Sequence, residues 1–138
     1  MILVKARPRQ SIDAGRMSSH ATSYTALTRQ VSQQLADLRA GQPGPMHAFG
    51  ELARTSLGDG ALSAKTKELI ALALGVAARC DACLGFHAKA LVKLGATRAE
   101  VEDALAVAVY MGGGPSLMYS ANAIAAFQEF AGEAAGRD

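Results

Sequence analysis

Four side chains able to exchange protons or electrons, Glu68, Cys80, Cys83 and His87, fall within twenty residues of this chain. Cys80 and Cys83 stand three positions apart, about one helical turn. They can close a disulfide if the first sits at a helix start, where its backbone is still adjustable. The unpaired N–H groups and macrodipole of a helix N-terminus also favour a thiolate there. His87 follows Cys83 by four residues, so on a helix it faces the same side one turn later and can trade a proton with that thiol. A carboxylate then orients the imidazole, and Glu68, projecting from an otherwise apolar stretch, is the available source.

Each of these residues also has a plainer role. A lone cysteine in an Ala-rich helix is usually a small core residue, and a lone glutamate a solvated helix charge. The conjunction favours chemistry, because the chain holds only 2 cysteines and their spacing suits redox or metal work, not stapling. A rival from another class is a metal module, since Cys80, Cys83, His87 and Glu68 offer two sulfurs, a nitrogen and an oxygen, a set that zinc accepts. In the redox reading no cofactor is needed. Asp81 reads as a first-turn helix charge, His20 and His47 as surface or packing residues, and Tyr110 and Tyr119 are left open.

The elements that must position these groups are helices. From His20 to about Ala40, Tyr24, Leu27, Val31, Leu35 and Leu38 recur at three- and four-residue steps. Gly41, Pro43, Gly44 and Pro45 break that pattern, and a short second helix runs through Met46, Phe49, Leu52 and Leu57 to Gly58-Asp59-Gly60. Ser63 is the N-cap of a third helix whose run Leu69 to Leu74 is apolar on every side, which predicts burial all round. A fourth begins near Cys80 and ends at Leu94, with Gly95 as its left-handed C′ residue. Thr97 and Glu100 form a capping box for a fifth, which Gly112-Gly113-Gly114 ends after Met111. Pro115 then suits the first turn of a sixth, running toward Phe130. No period-two stretch bounded by hairpin turns offers a strand, so the class is all-α.

A length of 138 residues with 50% hydrophobic side chains predicts one domain with a core of its own. No run approaches the roughly 18 apolar residues of a membrane span, and Met1 to Val4 lead straight into Lys5, Arg7, Pro8 and Arg9 without the apolar region of a secretory signal. The expectation is a cytoplasmic protein with no membrane partner. Of the net +2, the basic share sits in Lys5, Arg7, Arg9 and Arg16 against Asp13 alone, leaving the rest close to neutral. Nucleic acid is therefore not an expected partner. Residues 1–19 read as a flexible basic arm, with Met17 an alternative start that would make residues 1–16 a leader, and residues 20–138 as the single helical domain. The Ala-rich helices leave more apolar surface than one small domain hides, which predicts a homo-oligomer.

Glu68, eleven intervening residues, Cys80, two residues, Cys83, three residues and His87 together resemble the redox branch of the AhpD-like, or carboxymuconolactone decarboxylase, superfamily. The likeness extends over about Gly44 to Phe130. It implies an orthogonal bundle of about six helices in trimers or hexamers, and a thiol peroxidase or disulfide oxidoreductase. In that family pattern Cys83 attacks a hydroperoxide, Cys80 resolves the sulfenic acid to a Cys80–Cys83 disulfide, and His87 with Glu68 relays the proton. The implied substrate is an organic hydroperoxide or a disulfide, and the implied redox partner a peroxiredoxin or a lipoyl protein. One departure is visible. The best-known peroxidase members carry a histidine beside the second cysteine, where this chain has Ala82. The relay is shorter by one member, which favours disulfide exchange, a reaction needing only a thiolate and a partner thiol. The decarboxylase branch shares the fold without the paired cysteines and is the alternative non-redox reading.

Overall fold

The computed structural model describes residues 23–136, in which five helices follow one another without a strand. The basic arm expected over residues 1–19, and His20, lie outside the described residues.

Helix α1, Tyr24–Gly41, begins where Ser23 Oγ accepts from the Ala26 N–H at 3.2 Å. Its leading N–H groups find a second partner far along the chain. Glu129 accepts from Tyr24 N at 2.9 Å, from Thr25 N at 3.0 Å and from the Ser23 hydroxyl at 2.9 Å. Burial pushes the Glu129 carboxyl up, but the backbone N–H groups of Thr25 and Tyr24 and the hydroxyls of Ser23 and Thr25 outweigh it and hold the pKa below the ordinary value. Helix α2, Pro43–Leu57, starts earlier than the apolar pattern suggested, because proline lacks only an N–H that the first helical turn leaves unpaired anyway. No residue of α2 is buried, and Phe49 and Leu52 stand exposed on it.

Helices α3, Ala64–Ala77, and α4, Asp81–Lys93, pack on each other and on α5, Arg98–Ala135, and α1 lies across α4 and α5. The core sits among α3, α4 and α5, where Leu72, Val76, Leu84, Leu91 and Val101 are fully enclosed. The Thr97–Glu100 capping box opens α5 as expected. Lys65 of α3 donates to the same Glu100 at 2.6 Å, and this bond, with the Thr97 N–H, lowers the Glu100 pKa. The expected fifth and sixth helices are the two segments of α5, meeting at Gly113, whose φ of 67° and ψ of −153° are open to glycine alone. The three glycines thus make a one-residue kink in place of a loop, and Pro115 sits in the turn that restarts the helix.

Helix α3 departs from the expectation of burial all round. One face, with Glu68, Leu72, Gly75 and Val76, is buried, but Ile70 is 46% and Leu74 64% exposed. These two side chains, with Leu69, Ala73, Ala104 and Val107, line an apolar groove of about 520 Å³ between α3 and α5. The apolar run is long enough to circle the helix, whereas one chain supplies cover for only one side.

Candidate active site

The turn between α3 and α4 places the two sulfurs. Helix α3 ends in a Schellman motif, with Cys80 N donating to Gly75 O at 3.0 Å and Arg79 N to Val76 O at 3.1 Å. Arg79 occupies the left-handed position at φ 54°. For a side chain with a Cβ that conformation costs roughly 1–2 kcal/mol. Cys80 then serves the next helix, as the N-cap of α4, with Sγ accepting from Cys83 N at 3.3 Å. Asp81 follows, an exposed carboxylate in the first turn, where the helix dipole favours negative charge. One residue thus closes one helix and opens another, and its sulfur accepts from one first-turn N–H of α4.

Cys80 and Cys83 are joined as a disulfide, with their Cα atoms 5.2 Å apart, and both are half-buried. Behind Cys83 the two helices approach closely. A Cβ built on Gly75 would lie 3.3 Å from Cys83 Cβ and 3.5 Å from a Leu84 methyl, so the glycine admits the sulfur-bearing turn against α3.

One turn after Cys83, His87 meets Glu68 across the α3–α4 interface, Nδ1 to Oε2 at 2.6 Å. Glu68 is buried, with 8% of its surface exposed, and His87 is half-buried. With the carboxylate ionised, Nδ1 carries the hydrogen and donates it, leaving Nε2 as the nitrogen free to accept a proton. The structure thus joins Glu68 of α3 to His87 of α4, and His87 follows the second sulfur of the disulfide by one turn on the same helix.

In this disulfide form the zinc set offered by Cys80, Cys83, His87 and Glu68 is not assembled. Both sulfurs are committed to each other, and among the described residues no group of three or more His, Cys, Asp or Glu side chains is placed to hold a metal ion. His47 is exposed on α2, Tyr110 is exposed on α5, and Tyr119 packs at the edge of the core. Two residues of the site were not singled out by sequence. Gly75 left a faint signal, as an isolated glycine inside an apolar helical run. Arg79 left none, since its conformation follows from how α3 ends.

No described helix is long and apolar enough to cross a membrane. Residues 43–126 match the carboxymuconolactone decarboxylase family. An uncharacterised protein of Cupriavidus necator is 41% identical over 103 residues, which cover 75% of this chain and 90% of the relative. A crystal structure of a carboxymuconolactone decarboxylase family protein from Legionella pneumophila superposes with a TM-score of 0.77 at 53% identity, covering 78% of this chain and 96% of that one. A Thermotoga maritima protein of the same family, for which a part in the antioxidative response has been suggested, gives a TM-score of 0.71 at 26% identity, covering 80% of this chain and 96% of its own. With the matched segment spanning α2 to α5 and every element that carries the site, the chain belongs to the carboxymuconolactone decarboxylase family, within the AhpD-like superfamily.

Proposed function

We propose that the protein is a thiol-dependent oxidoreductase of the AhpD-like type, which reduces organic hydroperoxides or exchanges disulfides through Cys80 and Cys83. The observation that carries this reading is the Glu68–His87 hydrogen bond of 2.6 Å, one helical turn from a cysteine pair at a helix start. A structural disulfide needs no such base, whereas a nucleophilic thiol does.

In the reduced protein His87 Nε2 takes the Cys83 proton, and Glu68 stabilises the imidazolium. The Cys83 thiolate attacks the outer oxygen of a hydroperoxide. The O–O bond breaks, the imidazolium returns its proton to the departing alkoxide, and an alcohol leaves Cys83 as a sulfenic acid. Cys80 then attacks that sulfur, water departs and the Cys80–Cys83 disulfide forms. An external dithiol, such as that of a peroxiredoxin or a lipoyl protein, supplies two electrons and two protons and leaves as a disulfide. With Ala82 in place of a further histidine, disulfide exchange is the faster of the two activities. A reducing compartment such as the cytoplasm would keep the pair cycling. The apolar groove of α3 and α5 and the bare face of α2 fit a homotrimer or homohexamer.

Sulfenic acid trapping tests the roles. Cys80→Ser should accumulate a dimedone-reactive sulfenic acid on Cys83 after a peroxide pulse, and Cys83→Ser should neither turn over nor trap. Labelling of Cys80 in the Cys83→Ser protein, with none on Cys83 in the reciprocal variant, would reverse the assignment.

A further inference from the structure

Among the described residues Arg79 is the only non-glycine residue at positive φ. The protein contains the direct comparison. Helix α4 ends in the same motif, with Gly95 N donating to Val92 O at 3.1 Å and Ala96 N to Leu91 O at 2.9 Å, and there the left-handed position is a glycine at φ 72°. At the end of α3 the same geometry carries an arginine instead, so the fold alone does not account for that side chain. Strain of this kind points from an observed outlier to a role. The guanidinium is exposed, forms no ion pair among the described residues, and belongs to the residue bonded directly to Cys80. Its nearest acidic neighbour in sequence, Asp81, is itself exposed and unpaired in that same sense.

We infer that Arg79 is a specificity-determining residue that recruits carboxylate-bearing disulfides and dithiols to Cys80. The inference rests on the thiol chemistry proposed above. A planar guanidinium receives a carboxylate through two parallel N–H bonds. Set one residue before the half-buried Cys80, it would hold an anionic substrate with its disulfide against the start of α4. In the exchange, the Cys80 thiolate attacks one sulfur of the bound disulfide, whose S–S bond breaks to release one thiolate. Cys83 then displaces the mixed disulfide, the second thiolate leaves and the Cys80–Cys83 bond forms. The two cysteines lose two electrons to the substrate, and their two protons pass to solvent or to the released thiolates. Run backwards, the same contact would orient an anionic dithiol donor.

Two disulfide probes separate recognition from reactivity: dithiobis(nitrobenzoate), which carries two carboxylates, and dithiodipyridine, which is neutral at pH 7. The full-length reduced protein is mixed with each at low and high salt, and the second-order rate is followed by the released chromophore. Wild type and Arg79→Lys should react quickly with the anionic probe. Arg79→Gln and Arg79→Gly should lose roughly three- to tenfold of that rate at low salt, the difference fading at high salt. The neutral probe should react equally with all four proteins. Arg79→Gly should also melt a few degrees higher, because it removes the left-handed penalty, so loss of the anionic rate cannot be put down to a weakened fold. Equal slowing with both probes would overturn the inference, by showing that Arg79 acts on the sulfur itself. Unchanged rates with both would overturn it too. Wild-type thiols inert to the neutral probe would instead sink the redox reading on which it stands.

Discussion

In the proposed relay Glu68 decides which nitrogen of His87 is left for the thiol, because its carboxylate occupies Nδ1. Glu68→Gln keeps the size of the side chain but offers an amide that can donate as well as accept, so the tautomer is no longer fixed. Thiol oxidation by peroxide at neutral pH should slow by at least about tenfold in stopped flow, while the disulfide still forms. An unchanged rate would remove Glu68 from the relay. Gly75→Ala works on the same site through packing. Its new methyl would press on Cys83 Cβ at 3.3 Å, and the small shift this asks of α4 should outweigh the roughly 0.5–1 kcal/mol that alanine gains over glycine inside a helix, for a net loss of about 1 kcal/mol in denaturant unfolding. At this scale the sequence was legible in the intervals that pair Glu68 with His87 and Cys80 with Cys83, while the chemistry of the four residues is what the proposal adds. It was silent on Arg79, whose positive φ is a property of the helix end and not of arginine.

Helix boundaries were legible where a local side chain caps them. Ser63, the Thr97–Glu100 box and Gly95 all stand where spacing put them. The long-range cap on α1 was not, because Glu129 lies 105 residues from Tyr24 and nothing local marks the pair. Glu129→Gln, which keeps an acceptor but loses the charge against those N–H groups, should destabilise the protein by about 1 kcal/mol in thermal or denaturant melts. The pH dependence has a defined sign. The folded pKa is lowered, so the ionised carboxylate contributes its full stability above the ordinary glutamate value, and that contribution is lost as pH falls through the lower folded value. Wild type should therefore lose more stability than Glu129→Gln on acidification through this range. Equal losses would show that Glu129 does not anchor α1.

For the molecule as a whole, composition and periodicity were enough for an all-helical chain with an apolar surplus, but not for where the surplus lies. The run Leu69 to Leu74 hides one side against α4 and α5 and leaves Ile70 and Leu74 on the surface, beside Val107 at 62% exposure. Such a face, with Phe49 and Leu52 bare on α2, predicts association of identical chains, and light scattering at micromolar concentration should return a multiple of 14.2 kDa. A monomer mass would contradict it. The central claim is that the Cys80–Cys83 bond is made and broken in function, and counting thiols tests it most directly. The reduced protein should show two free thiols per chain, lose both to one equivalent of an organic hydroperoxide and regain both with a dithiol. A count that stays at two after the peroxide, or a disulfide that resists the dithiol, would contradict the account.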